Sequence, residues 1–219
     1  MAEKADFLYP FLADDDSDDP LALLDDLAAS AVAKADTSAR LRAATLAASA
    51  PAIDAAAEAM AARFAAGGRL LTFGNGGSST DAAGLAELFT RPPWGTSRPV
   101  RCLVDDQAVL TALGNDVGFD LVFGRQIIAH ATELDIALGF STSGTSRNVL
   151  VAFEEAASRG LLTIGIAGYD GGDMARSPHV QHCLIVSADS IHRVQETQAA
   201  LGHALWVAVQ AQREVTVNG

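Results

Sequence analysis

The stretch Arg69-Leu70-Leu71-Thr72-Phe73 runs directly into Gly74-Asn75-Gly76-Gly77-Ser78-Ser79-Thr80-Asp81, and then into a helical pattern. A short apolar run closed by glycines and followed by a helix is the opening of a strand–loop–helix unit. Glycines let the backbone approach a ligand, and a helix N-terminus presents free N–H groups. The loop is not a Walker loop, because no Gly-Lys-Ser/Thr follows, and it is not a dinucleotide fingerprint. Read by itself it is equally a tight turn with Ser78 or Ser79 as helix cap.

Working outward, similar apolar runs recur at Val100–Val104, Ile136–Phe140, Leu161–Ala167 and Gln181–Val186. Each leads into a polar or glycine-rich loop and then a helical pattern. Strands and helices alternating at this spacing predict an α/β fold, a three-layer αβα sandwich with a five-stranded parallel sheet. In such sheets ligands bind beyond the carboxyl ends of the strands, so chemistry is expected in those loops. The loop after the third strand is Ser141-Thr142-Ser143-Gly144-Thr145-Ser146, with the next helix opening near Arg147. Five hydroxyls in six residues exceed what a helix cap requires. With backbone N–H groups and the helix dipole they suit a phosphate dianion.

Upstream of residue 68 the pattern is helical. Leu23, Leu24, Leu27 and Ala31 recur at helical spacing between Leu21 and Lys34, and a second helix is expected from about Thr37 to Ala66. Pro51 predicts a break or kink in it, and Gly67-Gly68 ends it. Two Ala-rich helices here suggest a helical hairpin or a layer for subunit packing. Residues 1–20 read as an acidic N-terminal extension, with Asp14, Asp15, Asp16, Asp18 and Asp19 before Pro20. The expected organisation is therefore an extension at 1–20, N-terminal helices at 21–67 and the α/β domain at 68–219.

The chain has 219 residues, 49% of them hydrophobic, and a formal net charge of -12. Length and apolar content suit one well-packed core. The acidic balance argues against a broad surface for nucleic acid or anionic membrane. Cys102 and Cys183 both lie in apolar runs and are expected as buried, reduced thiols. No secretory signal follows Met1 and no apolar run approaches ~20 residues, so a cytoplasmic location is expected.

Five segments in register resemble the SIS-domain phosphoheptose isomerases: GNGGS at 74–78, LGNDVGF at 113–119, STSGTSRNV at 141–149, GYDGG at 168–172 and RVQE at 193–196. The resemblance runs from about residue 40 to the C-terminus. It implies an aldose–ketose isomerase acting on sedoheptulose 7-phosphate or a related sugar phosphate, assembled as a homotetramer or homodimer. It implies sugar contacts from Asn75, Gly76 and Ser78, and a carboxylate for sugar hydroxyls at Asp106. Ser141, Thr142, Ser143 and Ser146 match its phosphate cradle. Gln195 and His203 match a final-helix pair used in catalysis and, in many members, in binding zinc.

The chain departs from that pattern at three positions. The family carries a His and a Glu at i, i+4 on the helix after the first loop, and here these are Gly84 and Leu88. Glu87 is one residue away, which turns a side chain about 100° around the helix. Gln195 and His203 are eight residues apart, roughly 12 Å along a helix, so a zinc site would need a break in the helix or a neighbouring subunit. His192 stands where the family usually has an Asp, and is a candidate substitute acid or base. The loss of the His/Glu pair also leaves open a different class, a non-catalytic SIS protein that regulates or scaffolds a protein partner.

Overall fold

In the computed structural model the residues described are 20–212. The acidic extension expected at residues 1–20 therefore lies, except for Pro20, outside the described residues. Helix α1 spans Pro20–Ala65. The α/β part follows as β1 (Leu70–Gly74), α2 (Gly77–Thr90), β2 (Val100–Cys102), α3 (Gln107–Asp116), a 3₁₀ turn (Phe119–Leu121), α4 (Val122–His130), β3 (Ile136–Ser141), α5 (Arg147–Ser158), β4 (Leu162–Gly168), α6 (Gly172–Arg176), β5 (His182–Val186) and α7 (Ile191–Ala211).

The five strands form one parallel sheet in the order β2-β1-β3-β4-β5. Consecutive residues in each strand feed opposite faces. Leu70, Ile136, Leu138, Phe140, Ile164 and Ile166 pack under α1, α2 and α7, with Met60, Phe89 and Trp206 among their partners. Leu71, Phe73 and Ala137 pack under α4, α5 and α6, with Phe123, Phe153 and Met174. Burial on both sides explains why the three central strands, β1, β3 and β4, read as continuous apolar runs rather than as alternating ones. Gly139 is the small residue the second face requires: a Cβ there would run into the Phe73 and Phe153 rings. Those rings lie 5.3 Å apart, centroid to centroid, a favourable tilted contact.

The helical segment differs from its sequence reading. Pro51 does not divide it, and α1 is a single helix of 46 residues, not the expected pair or hairpin. Proline removes one N–H bond and crowds the preceding turn. Here Pro51 is exposed while Ile53, Ala56, Ala57, Met60 and Phe64 are buried on the sheet-facing stripe. Burial of those five side chains outweighs one lost bond. Within 20–40, Leu23, Leu24, Leu27 and Val32 are exposed.

Between α2 and β2 a strap over residues 91–98 is fastened to α7. Thr96 N–H donates to Gln210 Oε1 (2.9 Å) and Gln210 Nε2 donates to the Thr96 carbonyl (3.0 Å). Trp94 lies on Trp206 at 4.9 Å between ring centroids.

Candidate active site

The strand order reverses between β1 and β3, whose carboxyl ends therefore diverge into loops on opposite sides of a crevice. Both loops singled out in the sequence open there. A cavity of about 230 Å³ lies between them, lined by Asn75 and Ser78 from the first, by Ser141, Thr142, Ser143 and Ser146 from the second, and by Tyr169 and Ile191.

The second loop is held in shape by its own hydroxyls. Ser141 Oγ lies 3.0 Å from Ser146 Oγ and accepts the Gly144 N–H at 3.1 Å. Ser143 Oγ accepts from Thr145 N–H (3.2 Å) and Thr145 Oγ1 (2.9 Å). Gly144 has φ 66°, and a Cβ there would run into the Gly171 carbonyl. Its own carbonyl accepts the Met174 N–H at 2.8 Å, which ties the loop to the start of α6. Ser146 is the N-cap of α5 without a side-chain capping bond. Its hydroxyl is turned to Ser141 instead, and the start of α5 faces the cavity with its dipole.

The first loop is locked to the second by a reciprocal amide pair. Asn75 Nδ2 donates to Asn148 Oδ1 (2.8 Å) and Asn148 Nδ2 donates to Asn75 Oδ1 (2.9 Å). Asn148 is buried in the first turn of α5, so it fixes the side chain the sequence assigned to the sugar. Sequence reading missed Asn148. Gln198 was missed as well: it is fully buried, accepts from Thr142 Oγ1 (3.4 Å) and donates to the Ile166 carbonyl (3.2 Å), and so links α7 to the loop.

A second cavity, about 210 Å³, lies beside the first and shares Phe140 with it. Thr80, Asp81, Gly84, Leu85 and Leu88 of α2 line one side, and Ala199, Gly202 and His203 of α7 the other. Gly84 and Leu88 thus open onto the same space as His203. Asp81 Oδ2 is enclosed and has no hydrogen-bond partner. Burial raises the Asp81 pKa to about 6. In the sequence Asp81 stands out only as the last residue of the glycine-rich stretch.

The remaining predicted residues sit elsewhere. Gly76 precedes α2 with φ 53°, and its carbonyl accepts from Ser79 Oγ (2.6 Å); it is exposed and lines neither cavity. Asp106 is exposed and caps α3, its Oδ1 accepting the Val109 N–H at 3.0 Å. The Gln195 amide lies against Gly77, where any side chain would meet it. His192 is exposed in the first turn of α7 and lines neither cavity. Glu87 is exposed and paired with Arg91 at 2.8 Å. Burial pushes the Cys183 thiol up to about 11 and raises Cys102, which makes both poor nucleophiles.

The zinc that the sequence resemblance implies was tested against these donors. A tetrahedral centre takes three or four N, O or S donors at one point. Gly84 and Leu88 supply none, Gln195 is turned to Gly77, and no group of three or more His, Cys, Asp or Glu is gathered among the described residues. The described donors of one chain fall short of such a centre.

The SIS domain family matches residues 35–168. The chain is 43% identical over 159 residues to the phosphoheptose isomerase of Solidesulfovibrio magneticus, covering 70% of this chain and 74% of that one. The chain belongs to the SIS-domain phosphoheptose isomerases. Among solved structures, the phosphoheptose isomerase of Francisella tularensis superposes with a TM-score of 0.78 at 30% identity, over 84% of this chain and 97% of its own. That of Neisseria gonorrhoeae gives 0.77 at 32% identity, over 85% and 100%.

Proposed function

We propose that the chain interconverts the ketose and aldose forms of a seven-carbon sugar phosphate, sedoheptulose 7-phosphate or a close relative. The observation that carries this reading is the 230 Å³ cavity in which the hydroxyl loop at 141–146 meets Asn75 and Ser78. The phosphate is assigned to Ser141, Thr142, Ser143, Ser146 and the start of α5, where neutral donors and a helix dipole suit a dianion. Asn75 and Ser78 are assigned to the sugar hydroxyls, with the Gly76 backbone beside them and Asp106 as a further acceptor. The reaction moves a proton between adjacent carbons through an enediolate, and His203 is assigned to the oxygen-bound protons. Gln195 is assigned to holding the first loop through its contact with Gly77.

The reading extends to organisation. The extension at 1–20 and the helical segment at 21–67 serve self-association, with the exposed leucines 23, 24 and 27 as the contact stripe of a homotetramer or homodimer in the cytoplasm. No described helix is long and apolar enough to cross a membrane.

The test is an NMR time course with sedoheptulose 7-phosphate at high protein concentration. Appearance of the aldose is the expected result. No conversion, with or without added zinc, would count against it. Thermal unfolding with the sugar phosphate and with inorganic phosphate separates the two halves of the site, since a ligand at ~100 times its Kd stabilises by about 2.7 kcal/mol.

A further inference from the structure

We infer that Asp81 is the group that moves the carbon-bound proton, working across the second cavity with His203. This rests on the isomerase reading above. Asp81, Gly84, Leu85 and Leu88 occupy one face of α2, because residues three, four and seven apart on a helix lie in line. All four line the cavity, and His203 faces them from α7. The walls between are apolar, with Phe140, Leu85, Leu88 and Ala199. Among the described residues that line this cavity, only Asp81 and His203 carry acid–base side chains.

Two observations point to Asp81 as reactive rather than structural. Its Oδ2 is enclosed yet has no hydrogen-bond partner, and an enclosed carboxylate oxygen left unpaired costs free energy that a purely structural residue has no reason to carry. Gly84, one turn further on, has nothing within 4 Å of where a Cβ would stand. Space for a reacting carbon is therefore left open beside the carboxylate. Glu87, the other acid on this helix, is turned to solvent and held by Arg91. Burial also places the Asp81 titration close to neutrality, where a carboxylate can take a proton and return it.

The step balances as follows. From the ketose, the Asp81 carboxylate, which lines the cavity, accepts the proton from carbon 1. The C–H electron pair becomes the C1=C2 double bond, and the carbonyl π pair moves to the carbon-2 oxygen, which takes a proton from His203. His203 then recovers a proton from the carbon-1 hydroxyl, whose electrons form the new carbonyl. The C1=C2 pair takes the proton of Asp81 at carbon 2. Both side chains end as they began.

The experiment compares the chelator-treated full-length protein with D81N and D81E, by NMR conversion of sedoheptulose 7-phosphate. D81N should convert at least ~100-fold more slowly, with its KM and its substrate-induced thermal shift retained. D81E should recover part of the rate with a displaced acid limb in kcat. The retained thermal shift shows that D81N is folded and binds. If wild type converts and D81N stays within a few-fold of it, the assignment to Asp81 falls while the isomerase reading stands. If wild type does not convert under any condition, the isomerase reading itself falls. Wild-type turnover that appears only on adding zinc would overturn the two-residue scheme.

Discussion

The two cavities at the carboxyl ends of β1 and β3 share a wall at Phe140 and are built on opposite principles. In the first, the polar side chains are braced: Ser141 to Ser146, Ser143 to Thr145, Asn75 to Asn148, Thr142 to Gln198. In the second, apolar side chains surround a carboxylate with an unpaired oxygen. A braced set of donors is already arranged for a fixed anion and loses little freedom on binding it. A desolvated acid is poorly suited to holding anything and well suited to exchanging a proton. On the proposed function, adjacent cavities of one α/β crevice divide anchoring from chemistry by how completely their polar atoms are satisfied.

The largest effect that should break this contrast is at Gly144. Its positive φ and the Gly171 carbonyl leave no room for a side chain. Gly144→Val should cost about 2–4 kcal/mol of stability and abolish the phosphate-induced thermal shift, both read by calorimetry. Removing the hydroxyl pair is gentler. Ser141→Ala with Ser146→Ala should weaken phosphate binding at least ~10-fold, read by titration calorimetry.

The amide pair sharpens the comparison at the next level. A double-mutant cycle on Asn75→Ala and Asn148→Ala should return a coupling of about 1 kcal/mol, with KM for the sugar phosphate raised and the hydroxyl loop's affinity for phosphate nearly unchanged. Additivity would mean that the pair is incidental.

Asp81 should show the opposite sign from a braced group. Its folded pKa of about 6 is above its ordinary 3.8. The folded state therefore holds more protons between those values, and stability declines as pH rises through that window. D81N should raise stability at pH 7 by on the order of 1 kcal/mol, allowing for solvent screening of a partly open site. That gain should vanish below about pH 4, seen by denaturant titration across pH. The smallest effect is expected at Glu87. The Glu87–Arg91 pair is exposed, so Glu87→Ala should change stability by under ~0.5 kcal/mol and leave turnover unchanged. A loss of turnover there would show that Glu87, not Asp81, replaces the missing family acid.

The centre of the sheet was legible because strands buried on both faces are largely apolar: the run read at Ile136–Phe140 ends one residue later, at Ser141. The hydroxyl loop was legible because its composition exceeds what capping needs. Pro51 does not end the helix, because the burial of Ile53, Met60 and Phe64, which no local rule contains, decides there. Asp81 and Asn148 were silent for a related reason. Each is an ordinary residue on a helix, and its role comes from what another helix or loop, distant in sequence, brings opposite it. Asp106 shows the converse, a residue marked by resemblance whose visible contact is the capping of α3.

The strap at 91–98 gives the molecule an optical signature. Trp94 and Trp206 are the only two tryptophans of the chain, and they lie against each other. Their indole transitions couple at that separation, so the near-ultraviolet signal reads whether the strap is fastened. Trp206 also lies 5.4 Å from the His203 ring. Indole emission responds to the groups packed on the ring, so the fluorescence of the unlabelled protein is placed to report a ligand seated against His203.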